Sequence, residues 1–214
     1  MSSEQIISTP EADDMPKVEH FTFLRHGQPT EGAHLGWMAC AEKLSGDSCD
    51  RITDACHKFD LVPPVTVSEE LRPGHRRADT RMVMVTEETE WVYALICEIA
   101  EQATDQAYDI ALTGITRAPQ YVEYRPGWGE FGWHNDYSHG IADAPRKLTV
   151  IVQLSDPGSY EGGVLQVMGN EIEDMPKERG SIIVFPSILM HRVTPVTAGL
   201  RSALVAWIAG PRHV

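Results

Sequence analysis

The pattern of apolar positions divides the chain into a helical first half and an extended second half. Up to about residue 118, apolar side chains recur at helical spacing, and beyond it short β-rich runs follow one another closely. Residues 1–17 carry little apolar periodicity and are expected to form a disordered or loose tail. We predict one domain over residues 18–214, with a helical support region at 18–118 and a β core at 119–214.

Three helices are predicted in the first half. Small and apolar residues favour one at 31–44, and Asp47 or Ser48 can cap a second helix. A third begins after Thr86. The apolar faces of the last two helices consist of Ile52, Ala55, Cys56 and Phe59, and of Trp91, Val92, Leu95, Ile96, Ile99 and Ala100. We expect these faces to pack on one side of a sheet.

The second half predicts seven strands, separated by turns rich in glycine and proline. They cover residues 120–125, 131–136, 147–154, 163–168, 181–185, 191–196 and 201–208. So many short strands without intervening helices are typical of a sandwich or jelly roll. The predicted fold class is therefore mainly β with N-terminal helices (α+β).

Charge and composition narrow the classes of partner. The formal net charge is −13, from 31 acidic and 18 basic residues, so nucleic acid and anionic membranes are not expected partners. No apolar stretch approaches the roughly 20 residues of a membrane-spanning helix, and we expect a cytoplasmic protein. The 4 cysteines include no CxxC pair, which favours reduced and mostly buried thiols.

Two histidine motifs raise one alternative function. Arg25-His26-Gly27 and Ser138-His139-Gly140 resemble the active-site motifs of histidine phosphatases and phosphoglycerate mutases, and Thr116-Arg117-Ala118 resembles their extra phosphate-binding arginine. In that alternative His26 would be the nucleophile. The family needs a parallel sheet in which strands and helices alternate, whereas the second half of this chain predicts strands alone.

The β-rich half contains the ligand set of a mononuclear metal centre. Two imidazoles and one carboxylate form a facial triad on ferrous iron and leave coordination positions open. His134 and Asp136 are two residues apart, so on a strand they point to the same side. His191 must then arrive from another strand. The spacing predicts that His134, Asp136 and His191 bind one metal ion.

Arg201 opens the apolar run RSALVAWI, where an unpaired guanidinium would be costly. A carboxylate ligand removes that cost through two parallel hydrogen bonds. A dicarboxylate such as 2-oxoglutarate would chelate iron at one end and meet Arg201 at the other. Tyr124, on the strand before His134, can donate its phenol to the same carboxylate.

Three stretches of the second half resemble the Fe(II)/2-oxoglutarate-dependent dioxygenases of the prolyl-4-hydroxylase-like branch. They are YVEYRPGWGEFGWHNDYS, KLTVIVQLSDPGSYEGGVLQV and ERGSIIVFPSILMHRVTPVTAGLRSALVAWIAGP. The resemblance implies a double-stranded β-helix, the cupin-like jelly roll, with Fe(II), 2-oxoglutarate and O2 as cofactors. It also implies that His134, Asp136 and His191 are the metal ligands, and that Arg201 and Tyr124 bind 2-oxoglutarate.

The details of the motif refine this hypothesis. Because the carboxylate ligand Asp136 is present, the resemblance implies a hydroxylase rather than a related halogenase. Many relatives have Ser or Thr two residues after the arginine, where this chain has Ala203. The expected substrate is an amino acid, another small metabolite or a peptidyl, for example prolyl, residue. A metal-binding jelly roll without turnover is the remaining alternative.

Five further residues are candidates for substrate contacts. Most of them lie next to the predicted ligands in sequence, and Gln166 would face inward if Leu165 faced outward. The candidates are Arg117, Trp128, Trp133, Tyr137 and Gln166.

Overall fold

The structure is a computed structural model that describes residues 24–25, 36–62, 76–127, 129–137 and 145–211. The described part contains two α-helices, Gly46–His57 (α1) and Glu90–Ala103 (α2). A π-helical turn at Thr104–Tyr108 continues α2, and a short 3-10 turn lies at Pro157–Ser159.

Fourteen strands lie in the described residues, numbered in chain order. They are Leu24–Arg25 (β1), Met38–Cys40 (β2), Asp79–Met82 (β3), Gly114–Ile115 (β4), Gln120–Tyr124 (β5), Phe131–His134 (β6), Arg146–Gln153 (β7), Tyr160–Gly162 (β8), Leu165–Met168 (β9), Ile172–Asp174 (β10), Ile182–Pro186 (β11), His191–Val193 (β12), Val196–Gly199 (β13) and Arg201–Ala209 (β14). Every pairing between these strands is antiparallel.

The strands form one large and one small sheet. The large sheet has the order β1-β2-β11-β7-β14-β5-β3, and β4 also pairs with β14. The small sheet has the order β10-β9-β12-β6, and β8 pairs separately with β13. The prediction of a mainly β jelly roll with N-terminal helices is confirmed. The parallel sheet required by the phosphatase alternative is not found in the described residues, and His26 and His139 lie outside them.

The large sheet buries both of its faces because apolar residues fill successive positions of its central strands. On β7, Val150 and Val152 belong to a cluster that includes the apolar faces of both helices. Ile151, between them, belongs to the second cluster, which fills the space between the two sheets. Alternate residues of a strand point to opposite faces, so a continuous apolar run is what a doubly covered strand requires. The helices therefore support the sheet from the side opposite to the small sheet.

Two of the predicted helices are confirmed. In α2, the apolar stripe is buried, with Ile96 and Ile99 fully enclosed. The predicted cap of α1 is wrong by two or three residues: Ser45 is the N-cap, and its side chain accepts the backbone N–H of Ser48. Ser45 satisfies one of the amide donors that a helix start leaves without an intrahelical partner.

The predicted helix at 31–44 is wrong where the structure describes it. Met38–Cys40 forms β2, which lies between β1 and β11 and pairs Cys40 with Ile182. Small and apolar residues suit a helix locally, but pairing with β1 and β11 buries the same residues in the sheet. Residues 31–35 and the tail at 1–17 lie outside the described part of the chain.

The four cysteines are all free, and three of them are buried. This confirms the prediction of reduced thiols. Among the described residues, no helix is both long and apolar enough to cross a membrane.

Candidate metal centre and its cavity

The three predicted metal ligands come together between the two sheets. His134 ends β6, and His191 begins β12 directly opposite it in the antiparallel pair. Nε2 of His134 lies 3.7 Å from Oδ1 of Asp136, and Nε2 of His191 lies 3.4 Å from Oδ2. One ligand atom from each residue lies within 4.8 Å of the others.

Asp136 lies just beyond the end of β6, which the sequence had predicted to continue through it. Its backbone N–H donates to the carbonyl of Ser187 at 2.9 Å, and this bond ties the segment to the turn after β11. The side-chain alternation thus persists for one more step past the strand, so His134 and Asp136 still share a side.

Each histidine is oriented by the backbone two residues before it. Nδ1 of His134 donates to the carbonyl of Gly132 at 2.8 Å, and Nδ1 of His191 donates to the carbonyl of Leu189 at 3.0 Å. Because a carbonyl can only accept, these bonds place the proton on Nδ1 and leave the Nε2 lone pair facing the other ligands.

The carboxylate of Asp136 is held by hydroxyl groups that the sequence analysis missed. Thr149 donates its hydroxyl to Oδ2 of Asp136 at 2.9 Å, and it also lies 3.0 Å from the hydroxyl of Ser187. Both hydroxyl residues are fully buried. The available signal was a threonine inside the apolar run of β7, where a buried hydroxyl needs a polar partner.

The lowered pKa values of His134 and Asp136 keep their ligand atoms free of protons near neutral pH. Burial and, to a smaller extent, the nearby His191 lower the pKa of His134 to about 4. Burial alone would raise the pKa of Asp136, but His191, the indole of Trp207 and His134 together hold it at about 2. Near neutral pH His134 is therefore neutral and Asp136 ionised, the states in which each can bind a metal cation.

The cluster faces a cavity of about 430 Å³ between the sheets. Its wall combines the three ligands with the inward-facing residues of β5 and β14 and with apolar residues of the small sheet. The lining residues are Arg76, Gln120, Val122, Tyr124, Phe131, His134, Asp136, Ile151, Leu165, His191, Val193, Arg201, Ala203, Val205 and Trp207.

Arg201 lines the same cavity and is only 2% exposed. One terminal nitrogen donates to Oε1 of Gln153 at 2.9 Å, whereas Nε is buried without an acceptor. The guanidinium lies 5.2 Å from the ring centroid of Tyr124, its partner on β5. Gln153 was missed by the sequence analysis, although it is a second polar residue in the apolar run of β7.

The residue two positions after the arginine, Ala203, faces the cavity. Ser202 is not a substitute for the usual hydroxyl there, because its side chain bonds to Ser155. A second hydroxyl contact of the expected kind is therefore missing at this position.

The predicted substrate residues are not on the cavity wall. Arg117 is exposed after β4, and Trp133 packs against Arg192 with the guanidinium 4.8 Å from its ring centroid. Gln166 donates to Asp174 at 2.7 Å and is not a lining residue, whereas Leu165 faces the cavity, so the condition under which Gln166 would face inward is not met. Tyr137 follows Asp136 but is not a lining residue. Trp128 lies outside the described residues.

The residues present fit the cofactors that the sequence predicts. The two imidazoles and the carboxylate each offer a ligand atom within 4.8 Å of the others, a group close enough to hold one metal ion. Two imidazoles and a carboxylate, with the cavity on their open side, are the donor set of a facial triad. The buried Nε of Arg201 lacks an acceptor, which a carboxylate in the cavity would supply.

Comparisons with known proteins found a hydroxylase that is similar in part of its sequence and oxygenases that are similar in fold. No protein-family model matches the chain. A PKHD-type hydroxylase from Thermosynechococcus vestitus is 38% identical over 84 residues, which cover 36% of this chain and 37% of the relative. The matched part thus spans well under half of the length of this curated relative.

Solved structures share the fold. A prolyl-4-hydroxylase from Pseudomonas putida aligns with a TM-score of 0.63 and 19% identity, covering 83% of this chain and 93% of that chain. An oxidoreductase of the 2OG-Fe(II) oxygenase family from Burkholderia pseudomallei aligns with a TM-score of 0.60 and 16% identity, covering 87% and 96%. The predicted resemblance to the prolyl-4-hydroxylase-like branch is confirmed.

Proposed function

We propose that this chain is an Fe(II)- and 2-oxoglutarate-dependent hydroxylase. In the proposed reaction, one atom of O2 enters succinate as 2-oxoglutarate loses CO2, and the other replaces hydrogen in a C–H bond of the substrate as a hydroxyl group. His134, Asp136 and His191 hold the iron, which supplies the oxygen chemistry when it is bound. Arg201 holds the distal carboxylate of 2-oxoglutarate, with Tyr124 beside it.

One observation carries this proposal. The three ligand side chains and a buried arginine whose Nε lacks an acceptor face the same cavity. A metal site alone would not need the arginine, and a site for an anion alone would not need the triad. A dicarboxylate that spans both is the ligand that satisfies each group.

The protein's own residues supply orientation and a dry cavity. The carbonyls of Gly132 and Leu189 fix the two imidazoles, and Thr149 fixes the carboxylate of Asp136. Apolar side chains such as Val122 and Ile151 form the wall between the metal ligands and Arg201. In such a water-poor cavity, the attraction between Arg201 and a carboxylate is stronger than at the surface.

The substrate is proposed to be an amino acid, another small metabolite or a peptidyl residue. The relative named as a PKHD-type hydroxylase and the solved prolyl-4-hydroxylase support a hydroxylation. A metal-binding jelly roll without turnover is the alternative, and formation of succinate distinguishes the two.

The proposal is tested by incubating the purified protein with Fe(II), 2-oxoglutarate and oxygen and by measuring succinate. We expect succinate release that depends on both iron and oxygen and that is lost in His134→Ala. His57→Ala is the matched control, because His57 lies on α1, outside the cavity lining, and faces Glu123 at 3.8 Å. Metal binding without any succinate, with or without candidate substrates, would favour the non-catalytic alternative.

A further inference from the structure

A second arginine, Arg76, faces the cavity and has no role in the proposed binding of iron or 2-oxoglutarate. Its two terminal nitrogens donate to neutral oxygens, to Oε1 of Gln120 at 2.5 Å and to the hydroxyl of Thr80 at 2.6 Å. Its Nε is buried without an acceptor. The guanidinium is thus held in place while its charge remains without a counterion in the described residues.

Two neighbouring arginines, unlike Arg76, each have an acidic partner. Arg77 lies 3.6 Å from Glu130, and Arg125 lies 2.8 Å from Asp79. Both of those pairs lie outside the cavity lining. Within the described part of the chain, no carboxylate forms an ion pair with Arg76. A partly buried guanidinium that points into a cavity and lacks a counterion is a binding position for an anion.

Arg76 lies beside the metal ligands. Its guanidinium is 5.8 Å from the ring centroid of Phe131, and that ring stacks on His134 with centroids 3.5 Å apart. Its partner Gln120 pairs with Val205 on β14, four residues beyond Arg201. At about 3.3 Å per residue, this places Gln120 and the backbone of Arg201 about 13 Å apart along the sheet. The cavity is therefore lined by two arginines whose backbones lie in different parts of the fold.

We propose that Arg76 binds a carboxylate of the substrate, which makes the preferred substrate a small free carboxylic acid such as a free amino acid. This inference rests on the proposed function, in which Arg201 is already assigned to 2-oxoglutarate. The backbone of an internal peptide residue offers only neutral amide groups, which would leave the charge of Arg76 unpaired. Because Arg76 and the metal ligands line the same cavity, an acid bound at Arg76 would lie beside the iron site.

The test compares matched ligands on the iron-loaded protein with saturating 2-oxoglutarate under nitrogen. The probes are the protein amino acids as free acids, the same compounds as C-terminal amides, and the same residues inside blocked tripeptides. Calorimetry gives binding, and mass spectrometry after admission of oxygen detects a product with one added oxygen atom. We expect at least one free acid to bind more tightly than its amide by roughly tenfold or more.

The variants Arg76→Gln and Arg76→Lys assign this difference to the guanidinium. Arg76→Gln is expected to remove the preference for the acid while leaving the affinity for 2-oxoglutarate unchanged, and Arg76→Lys is expected to keep part of it. Arg77→Gln is the matched control, because it removes a positive charge at the adjacent position outside the cavity.

Two results would overturn the inference while the proposed function stands. In the first, amides or internal peptide residues bind as well as the acids, or no free acid binds preferentially to the wild type. In the second, Arg76→Gln weakens 2-oxoglutarate itself, which would make Arg76 a contact of that molecule. If 2-oxoglutarate does not bind the iron-loaded wild type at all, the proposed function fails first, and the inference fails with it.

Discussion

At the residue scale, the hydroxyl of Thr149 holds the carboxylate of Asp136, one of the three proposed metal ligands. It donates to Oδ2 of Asp136, and the hydroxyl of Ser187 lies beside it. Thr149→Val keeps the shape of the side chain but removes the hydrogen bond. We expect the affinity for Fe(II) to fall by about 10- to 100-fold, as is common when a partner of a metal ligand is lost.

Thr149→Ser is the control for this prediction, because it retains the hydroxyl and removes a methyl group. Titration with Fe(II) under nitrogen measures both variants. Equal affinity in the wild type and in Thr149→Val would show that Asp136 does not depend on this bond.

In the proposed site, different residues bind iron and 2-oxoglutarate, so substitutions are expected to affect the two ligands separately. His134→Ala and His191→Ala each remove one of three ligands and are expected to abolish Fe(II) binding in the micromolar range. Arg201→Ala leaves the triad intact and is expected to weaken 2-oxoglutarate by roughly 10-fold or more, since a charge-assisted bond contributes about 1.5–3 kcal/mol. Equilibrium dialysis measures both ligands, and retained wild-type affinity in all three variants would contradict the assignments.

At the scale of elements, α2 supports the large sheet, which carries Arg201 and Thr149, but does not line the cavity. Ile99 is fully buried in the cluster on the helical side of the sheet. Ile99→Ala is expected to lower the free energy of unfolding by about 2–5 kcal/mol, because it leaves a cavity in a close-packed core. The affinity of the folded protein for Fe(II) is expected to stay unchanged.

Denaturant unfolding measures the first quantity, and Ala94→Ser, at an exposed position of the same helix, is the control with an expected change within about 0.5 kcal/mol. A large loss of Fe(II) affinity in folded Ile99→Ala would show that the helical layer shapes the site directly.

The elements also show what the sequence could and could not predict. The strands with long apolar runs, such as β7 and β14, and the striped helix α2 were predictable because they carry their burial pattern locally. β3 was missed because Asp79–Met82 is a half-buried edge strand without apolar alternation, and its pairing with β5 is long-range. β2 was predicted as helix because no local sequence pattern indicates its pairing with β11.

The site was predictable to a similar degree. The spacing of His134 and Asp136 and the isolated arginine of β14 predict a metal centre and an anion-binding position from the sequence alone. Gln153 and Thr149 look like ordinary strand residues until their partners are known, and Arg76 reaches the cavity from outside the core strands through Gln120 and Thr80. These contacts depend on three-dimensional packing, which spacing does not encode.

At the scale of the whole molecule, the thiols report on global folding. Burial raises the pKa of Cys56 to about 12, and Cys97 is the least buried of the four thiols. In the native protein, an alkylating reagent is expected to modify Cys97 first and the other three only after unfolding, because the reagent attacks an accessible thiolate. Mass spectrometry after timed alkylation measures this order, and fast native labelling of Cys49 or Cys56 would contradict the observed packing.

The charge of the residues that face the cavity differs from the net charge of the whole molecule. Its formal net charge is −13, yet two arginines face the cavity. The arrangement favours an anionic ligand inside the cavity while the acidic exterior disfavours polyanionic partners. This distribution is what a hydroxylase with an anionic cosubstrate and a small acidic substrate requires.

The central claim is that iron and 2-oxoglutarate bind together in this cavity. The most direct measurement is to add Fe(II) and then 2-oxoglutarate to the protein under nitrogen and to record the visible spectrum. We predict a weak charge-transfer band that requires both additions, is lost in His191→Ala, and needs a higher concentration of 2-oxoglutarate in Arg201→Ala. If the wild-type protein shows no band at saturating concentrations of both, and forms no succinate in air, the claim is wrong.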